Sequence, residues 1–470
     1  MTATLCSTDK RMIRLVTSAK RLLVATVLLA CLAVIPVHAA PISAGQAFTN
    51  VQAWFAGESN PLGTAPGTPH DVNAFPGPNG ATAWYVVNLQ PQGYVVVAAD
   101  DAVAPGIIAF SATGFFDPDP KNTQYTLLQN DMPQRIAAAN AAATTTVVQK
   151  AKTSLLPHKT PTARLNDQIP APPAEALVSR IRVAPLISSK WDGGGAQGLP
   201  CFNYFTPSNY WVGPLALCVA QTVRHFQQEP PGGIGLHIDI VEVNEDPTFW
   251  WTRGGDGLGG PYDWSAMSDD PANTSDLTDY QRQQIGSLCS DAGASLGTDY
   301  DGARGVTWDS GGLLISALTN TFGYAQGGVW NYYNGEDEHG MMLTNDAIRM
   351  INPNLDAGLP VFLTLFNSTS SRAVICDGYG YSLVPGNPVL PNDPEQGGWM
   401  FHHLNFGEGG VGDMWYVLPD PSMGGTEIFT NIGAVAFNMS PKQTGEIISG
   451  RITDQHTISG WYAGAMPTVG

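Results

Sequence analysis

The sequence predicts an α+β protein in which a small α+β unit precedes a larger α+β domain. In the larger part, helical spacing of apolar residues comes before strand-like runs, an order typical of α+β domains with an antiparallel sheet. A proline-rich stretch at residues 150–182 has no sustained period and is interpreted as an exposed linker. With 43% hydrophobic and 13% charged residues, the 470-residue chain can bury a sizeable core in each part.

The amino terminus has the order of a secretory signal, at residues 1–39. Five basic residues precede an apolar run from Leu22 to Val37, and small residues follow up to Ala39. We expect cleavage near Ala39 and a secreted, periplasmic or extracellular mature protein. The run is short for a membrane span, so no stable span is predicted. A lipoprotein box ending at Cys31 is disfavoured because apolar residues continue past it.

Composition restricts the partners and cofactors. A net charge of −18 argues against a nucleic-acid partner or an anionic membrane surface, because both would repel the chain. No CxxC pair or histidine-rich cluster predicts a metal site, and no cofactor is expected. After loss of the signal, four cysteines could form up to two disulfides, and three pairings remain open for Cys201, Cys218, Cys289 and Cys376.

The small unit is expected at residues 40–149. Ser43 is a candidate N-cap for its first helix, and a polar loop rich in proline and glycine should follow that helix. The predicted elements are a helix at 44–55, a loop at 60–79, strands at 83–89, 94–99 and 106–110, and an alanine-rich helix between 131 and 150.

A central helix is expected from Gly213 to Phe226. Pro214 occupies its first position, where the missing N–H costs no hydrogen bond. The apolar stripe of this helix contains Leu215, Cys218, Val219, Thr222, Val223 and Phe226. A cysteine on a helix of an exported protein raises the question of a nucleophile.

The larger domain is expected to span residues 183–439. An aromatic segment around Trp250 is predicted to lie in a long loop, and residues 440–470 form a tail without a strong pattern. Further helices are predicted at 276–292, 311–322 and 344–351, and strands at 359–366, 372–376, 399–404 and 414–418.

Short motifs follow one another along both parts of the chain. They are Trp84 to Asp101, Tyr262 to Trp264, Leu288 to Gly293, Ala317 to Tyr324, Ala373 to Gly378 and Asn405 to Gly410. In this order, the sequence resembles the streptopain-like cysteine peptidases, a secreted bacterial branch of the papain-like superfamily. The amino-terminal unit resembles the inhibitory prodomain of that family. The resemblance implies a papain-like domain that follows such a prodomain.

The resemblance also places the catalytic positions of the family on this chain. Alignment on Ala220 and Gln221 puts Pro214 where the nucleophilic cysteine belongs, and the segment before Gly378 puts Arg372 where the catalytic histidine belongs. The orienting asparagine is retained as Asn405. Both following tryptophans are replaced, by Phe406 and Glu408.

Neither replacement can perform the family's chemistry. The proline side chain has no nucleophilic atom. Arginine stays protonated, so its side chain cannot act as a general base. The sequence therefore favours a pseudoprotease that acts by binding. Its partner would be a protein or peptide in the former substrate cleft, or a protease held by the prodomain-like unit.

An active cysteine endopeptidase is the alternative. Cys218 begins a Cys-Val-Ala sequence like that of the family and could be its nucleophile, with His403 as base and Asn405 as orienting residue. His403 precedes Asn405 by two residues, so we expect both on one face of a strand. Against this alternative, Cys218 lies one turn inside its helix on the apolar stripe, where a cysteine usually packs as a small hydrophobe.

Overall fold

The computed structural model describes most of the chain between residues 40 and 441. The described ranges are 40–57, 67–103, 106–120, 122–153, 180–301, 304–306, 311–331, 343–366, 371–382, 399–410, 412–418 and 432–441. The predicted signal, most of the linker and most of the tail lie outside them, and so does Cys31. No described helix is long and apolar enough to cross a membrane.

The amino-terminal region contains two helices and four strands among the described residues. They are α1 (Ala44–Gly57), β1 (Thr68–Pro76), β2 (Thr82–Gln90), β3 (Tyr94–Ala98), β4 (Ile107–Ser111) and α2 (Thr123–Thr153). The predictions of α1 and of strands β2 to β4 are confirmed. Strand β1 replaces part of the predicted loop, because it pairs with β2 while exposing most of its own side chains. Helix α2 begins at Thr123, before the predicted start, and includes Pro133.

The second region supplies the other described elements. They are β5 (Arg180–Val183), β6 (Gly195–Ala196), β7 (Leu199–Pro200), α3 (Pro214–Phe226), β8 (Ile238–Val243), β9 (Asp246–Trp251), α4 (Asp279–Ser295), β10 (Asp299–Asp301), β11 (Arg304–Val306), α5 (Gly311–Asn320), β12 (Gly328–Asn331), α6 (Leu343–Asp356), β13 (Val361–Phe366), β14 (Ser371–Ser382), β15 (Trp399–Asn405), β16 (Met414–Tyr416) and β17 (Ile432–Phe437). The predicted helices and the four predicted strand runs are confirmed, with shifted ends.

The prediction for the aromatic segment was wrong. Trp250 lies in strand β9, which forms a hairpin with β8. Asn244 and Glu245 join the two strands, and both have positive φ angles, of 50° and 70°. Such a tight turn usually carries glycine at its second central position, and the glutamate here is a weak local signal for a hairpin.

Eleven of the described strands, from both regions, form one large sheet. Its order is β1-β2-β3-β4-β16-β15-β14-β13-β17-β12, and β5 pairs with β14 off this path. The two regions meet where β4 pairs with β16, with Phe110 opposite Trp415 and Ala109 opposite Tyr416. All neighbouring strands along this sheet are antiparallel, as the sequence predicts.

Helices cover both faces of the large sheet. On one face a single core joins α2 and α6 to strands of both regions, from Val96 in β3 to Val374 in β14. The opposite face packs on α1 beside the amino-terminal strands, and on α3, α4 and α5 beside strands such as β13 and β14. This arrangement confirms the predicted α+β fold.

A buried polar cluster also crosses from the amino-terminal region to the second region. Asp131 and Arg135 of α2 form an ion pair with 2.7 Å between Oδ2 and Nε, and their side chains are 0% and 8% exposed. The Tyr416 hydroxyl donates to the Asp131 carboxylate, and the Arg135 guanidinium donates to the Val417 carbonyl oxygen. The burial of both charges depends on these cross-region partners.

Candidate active site

Helix α3 presents its amino-terminal end at a closely packed position. Gly213 is the N-cap without a side-chain hydrogen bond, and the partly exposed Pro214 is the first helical residue. The Gly305 N–H donates to the Trp211 carbonyl oxygen at 2.6 Å, and a Cβ on Gly305 would lie only 2.7 Å from the Gly213 nitrogen. Strand β11 therefore lies directly against the start of α3.

Cys218 lies one turn into α3 and is only 4% exposed. It belongs to the core that α3 shares with α4 and α5. The predicted possibility of disulfides finds no support at Cys201, Cys289 and Cys376, which are buried free thiols. Burial raises the pKa of the Cys201 thiol to about 12, so that thiol stays protonated at physiological pH.

A hydrogen-bonded group of side chains joins α3 to β15. The Gln221 Nε2 group donates to Asn405 Oδ1 at 3.2 Å, and Ser189 Oγ donates to Gln221 Oε1 at 3.0 Å. Asn405 Oδ1 also accepts from the Gly407 N–H at 2.9 Å. Asn405 Nδ2 lies 3.4 Å from the Ser189 carbonyl oxygen. Asn405 thus holds the strand end, the helix and the following loop together.

His403 forms a second pair beside this group. Its Nδ1 lies 2.6 Å from Asp377 Oδ1, and the His403 side chain is 13% exposed. Asp377 lies at a shift in the pairing register of β14 with β15, between Cys376 and Gly378. Its Oδ2 accepts from the Ile187 N–H at 3.0 Å. His402 points elsewhere, with Nε2 2.8 Å from Asn352 Oδ1 of α6.

The loop after β15 supplies carboxylates and a close backbone approach. A Cβ on Gly407 would lie 2.7 Å from Leu217 of α3, so this loop needs glycine there. Asp413 Oδ1 accepts from the Phe406 N–H at 3.0 Å. Burial raises the pKa of Asp413 to about 6, and the neighbouring His403 limits that rise. Glu408 is partly exposed in the same loop.

Arg372 lies in β14, opposite Leu365 of β13. Its side chain is outside the described residues, so the contact with Glu408 that its charge suggests is not part of the described geometry. The described side chains also contain no group of three or more histidine, cysteine, aspartate or glutamate residues arranged to hold a metal ion.

Two protein-family models match the chain. The Spi protease inhibitor model matches residues 39–136, and the peptidase C10 family model matches residues 196–416, which include α3, β14 and β15. Residues 196–416 thus match the peptidase C10 family. The resemblance to the streptopain-like peptidases and their prodomain is thereby confirmed.

Two solved structures from Prevotella intermedia are similar to this chain. A fragment of prointerpain A is 17% identical, with 79% of this chain and 99% of the fragment covered and a TM-score of 0.49. The active wild-type interpain A cysteine protease is 18% identical, with 55% and 95% covered and a TM-score of 0.39. No curated protein sequence matches the chain.

Within the peptidase C10 domain, Asn405 is held by two residues that were not predicted as site residues, Gln221 and Ser189. Gln221 connects α3 to Asn405, and Ser189 supports both. Gln221 follows Pro214 by seven residues, two helical turns, so the helical period alone places it on the same face as the helix start. Ser189 comes from a segment without periodicity and carried no comparable signal.

The pKa of His403 is expected to lie above 6.5 in the folded protein. Burial alone would lower it, but the Asp377 carboxylate, as a charge and hydrogen-bond partner, raises it together with Asp413. A raised histidine pKa stabilises the fold fully below pH 6.5, and this contribution is lost as the pH rises through the folded pKa. Titration of the His403 ring by NMR should show the raised value.

Asp377→Asn provides the matched comparison for that titration. It keeps the shape of the side chain and removes its charge, so the pKa of His403 should be lower in this variant than in the original protein, because only Asp413 then opposes the effect of burial. His402 is the internal control, since burial lowers its pKa to about 3 and its ring should not titrate between about pH 5 and 8 in either protein. An unchanged pKa of His403 in Asp377→Asn would contradict the assignment.

Proposed function

We propose that this protein is an exported pseudoprotease that binds a protein or peptide without cleaving it. The observation that carries the proposal is the start of α3, where Pro214 is the first helical residue and the helix's cysteine, Cys218, lies one turn further and is 4% exposed. The signal-like residues 1–39 support export.

The location of Cys218 argues against a nucleophile. A cysteine is activated as its thiolate, which an exposed helix start and a nearby imidazole stabilise. Cys218 is packed in an apolar core, and the influence of the helix dipole fades within the first turn. Pro214 stands at the favourable position but has neither a thiol nor a backbone N–H.

The other members of the alternative triad are engaged elsewhere. His403 Nδ1 pairs with Asp377, and the Asn405 side chain bonds to Gln221 and to the backbone of Gly407. Neither contact involves Cys218. An active endopeptidase would need Cys218, His403 and Asn405 to act together. The contacts described for His403 and Asn405 join them to Asp377, Gln221 and Gly407.

The former substrate cleft is the preferred binding site in this proposal. The amino-terminal region uses its β4 edge to pair with β16 of its own chain, which leaves that edge unavailable to another protease. The match of residues 39–136 to the Spi protease inhibitor model nevertheless supports protease inhibition as a second candidate. Inhibition of an active peptidase C10 enzyme by the full chain would favour this second role.

Covalent labelling tests the proposal. We expect an epoxide probe for active cysteines to leave Cys218 unmodified in the folded protein, as judged by mass spectrometry of the digested chain. Alkylation of the urea-unfolded protein is the control that shows the thiol to be intact. Stoichiometric labelling of Cys218 in the folded protein, absent from Cys218→Ala, would contradict the proposal and favour the active enzyme.

A further inference from the structure

The hairpin of β8 and β9 carries an exposed apolar surface. Ile238 lies opposite Trp251, and Ile240 lies opposite Phe249, so these four side chains share one face of the hairpin. They are 50% to 72% exposed. Leu236 and Leu258 are 47% and 73% exposed in segments beside the hairpin, where a Cβ on Gly259 would lie 2.6 Å from the Leu236 nitrogen. Six such side chains expose on the order of 500 Å², as much as the largest patch of a typical monomer. We call these six residues the hairpin patch.

The hairpin patch is held rigidly against the domain. On the opposite face of the hairpin, Val241 is completely buried, and Trp250 Nε1 donates to Ser290 Oγ of α4 at 3.2 Å. The Thr252 N–H donates to the His237 carbonyl oxygen at 3.0 Å and continues the pairing beyond β9. The exposure of the patch is therefore a property of a fixed surface.

Among the described strands, β9 is also an edge strand. It ends the four-stranded sheet of order β11-β10-β8-β9. The Glu242 and Asn244 N–H groups donate towards β10, so the odd-numbered residues of β8 form the hydrogen bonds with β9. Phe249 and Trp251 lie opposite even-numbered residues of β8, so their backbone groups point away from the sheet. Two exposed side chains and the backbone groups available for strand addition thus coincide at the same residues.

The surroundings of the hairpin patch are acidic. Residues 238–251 contain four carboxylates and no lysine or arginine, and the next cation, Arg253, lies over the Phe205 ring with its Cζ 3.7 Å from the ring centroid. Glu242 lies on the patch face, and the neighbouring strand β10 places Asp299 beside Glu242 in register. Asp301, two residues further along β10, shares the face of Asp299, is exposed and lies opposite Arg304 of β11. A second copy of this acidic chain would bring like charges together, whereas a cationic segment would be attracted.

We propose that the hairpin patch binds an extended, cationic and apolar segment of another protein, which adds as a strand to β9. Its apolar side chains cover Phe249, Trp251 and Ile240, and its basic side chains meet the carboxylates of β8 and β10. This site lies about 14 Å from β11, three strand spacings away, and so is separate from the start of α3. It goes beyond the proposed function and does not depend on it.

The test uses the signal-free full chain and a fluorescein-labelled ten-residue peptide that alternates lysine with valine and tyrosine. Fluorescence anisotropy should show saturable binding that weakens with salt, and at least tenfold weaker binding to Phe249→Ser. Phe115→Ser is the matched control, because Phe115 is 63% exposed outside the hairpin, and it should bind like the original protein. A peptide with glutamate in place of lysine should not bind.

Three results would overturn the proposal. The first is absence of binding, or equal binding of the lysine and glutamate peptides. The second is a concentration-dependent dimer in sedimentation velocity that Phe249→Ser abolishes, which would assign the patch to a second copy. The third concerns strand addition. Two peptides are N-methylated, one at the odd-numbered and one at the even-numbered residues, and only one of them should lose binding. Equal binding of both would exclude pairing with β9.

Discussion

Arg135→Ala is expected to lower the free energy of unfolding by about 3–5 kcal/mol, because it leaves the Asp131 carboxylate buried without its partner. Asp131 is 0% exposed and accepts from both Arg135 and Tyr416. The Arg135 guanidinium also donates to the Val417 carbonyl oxygen, which would lose that donor. Urea denaturation followed by tryptophan fluorescence measures the change.

Lys190→Ala is the matched control for that measurement. Lys190 forms an ion pair with Asp270 at 3.4 Å, but the two side chains are 55% and 28% exposed. A surface pair of this kind contributes roughly 0–1 kcal/mol. A loss of stability in Arg135→Ala no larger than that in Lys190→Ala would show that the buried cluster does not join the two regions.

Cleavage of the linker is expected to leave the amino-terminal region bound to the peptidase C10 domain. A site-specific protease sequence inserted near Pro170 allows a single cut, after which both fragments should elute together in size-exclusion chromatography. The physical reason is that strands β4 and β16 are neighbours in one sheet and the core on α2 is continuous across both regions. Separation should require denaturant.

Arg135→Ala supplies the comparison for the cut protein. Its fragments should separate at a lower urea concentration than those of the original chain, because the cross-region cluster is incomplete. Spontaneous dissociation of the original fragments in buffer at micromolar concentration would contradict a shared sheet. It would instead describe a prodomain that is released once the linker is cut.

The helices were predictable because their signals are local. Pro214 after Gly213 marks the start of α3, and that helix begins where predicted. Helix α4 begins after Thr278, which forms a capping box with Gln281, close to its predicted start. Both ends depend on residues within one turn, so a single sequence contains the necessary information.

The cross-region contacts were not predictable, because they join distant residues. Gln221 and Asn405 are 184 positions apart, and Asp131 and Tyr416 are 285 apart. The periodicity of a single segment does not indicate which strand lies beside β4. The same sequence pattern would also fit two regions with separate sheets. The candidate site was therefore predicted as isolated positions, and its actual partners, Gln221 and Ser189, became visible only with the fold.

The measurement that tests the central claim most directly is hydrolysis of fluorescent casein by purified protein, both intact and cut in the linker. We expect the original chain, Cys218→Ala and the buried-thiol control Cys201→Ala to give the same rate as buffer. The double variant Pro214→Cys and Arg372→His is measured in the same assay. Hydrolysis by this variant would show that the cleft geometry persists. Hydrolysis by the original chain that is lost in Cys218→Ala and kept in Cys201→Ala would contradict the claim that this peptidase fold no longer cleaves peptides.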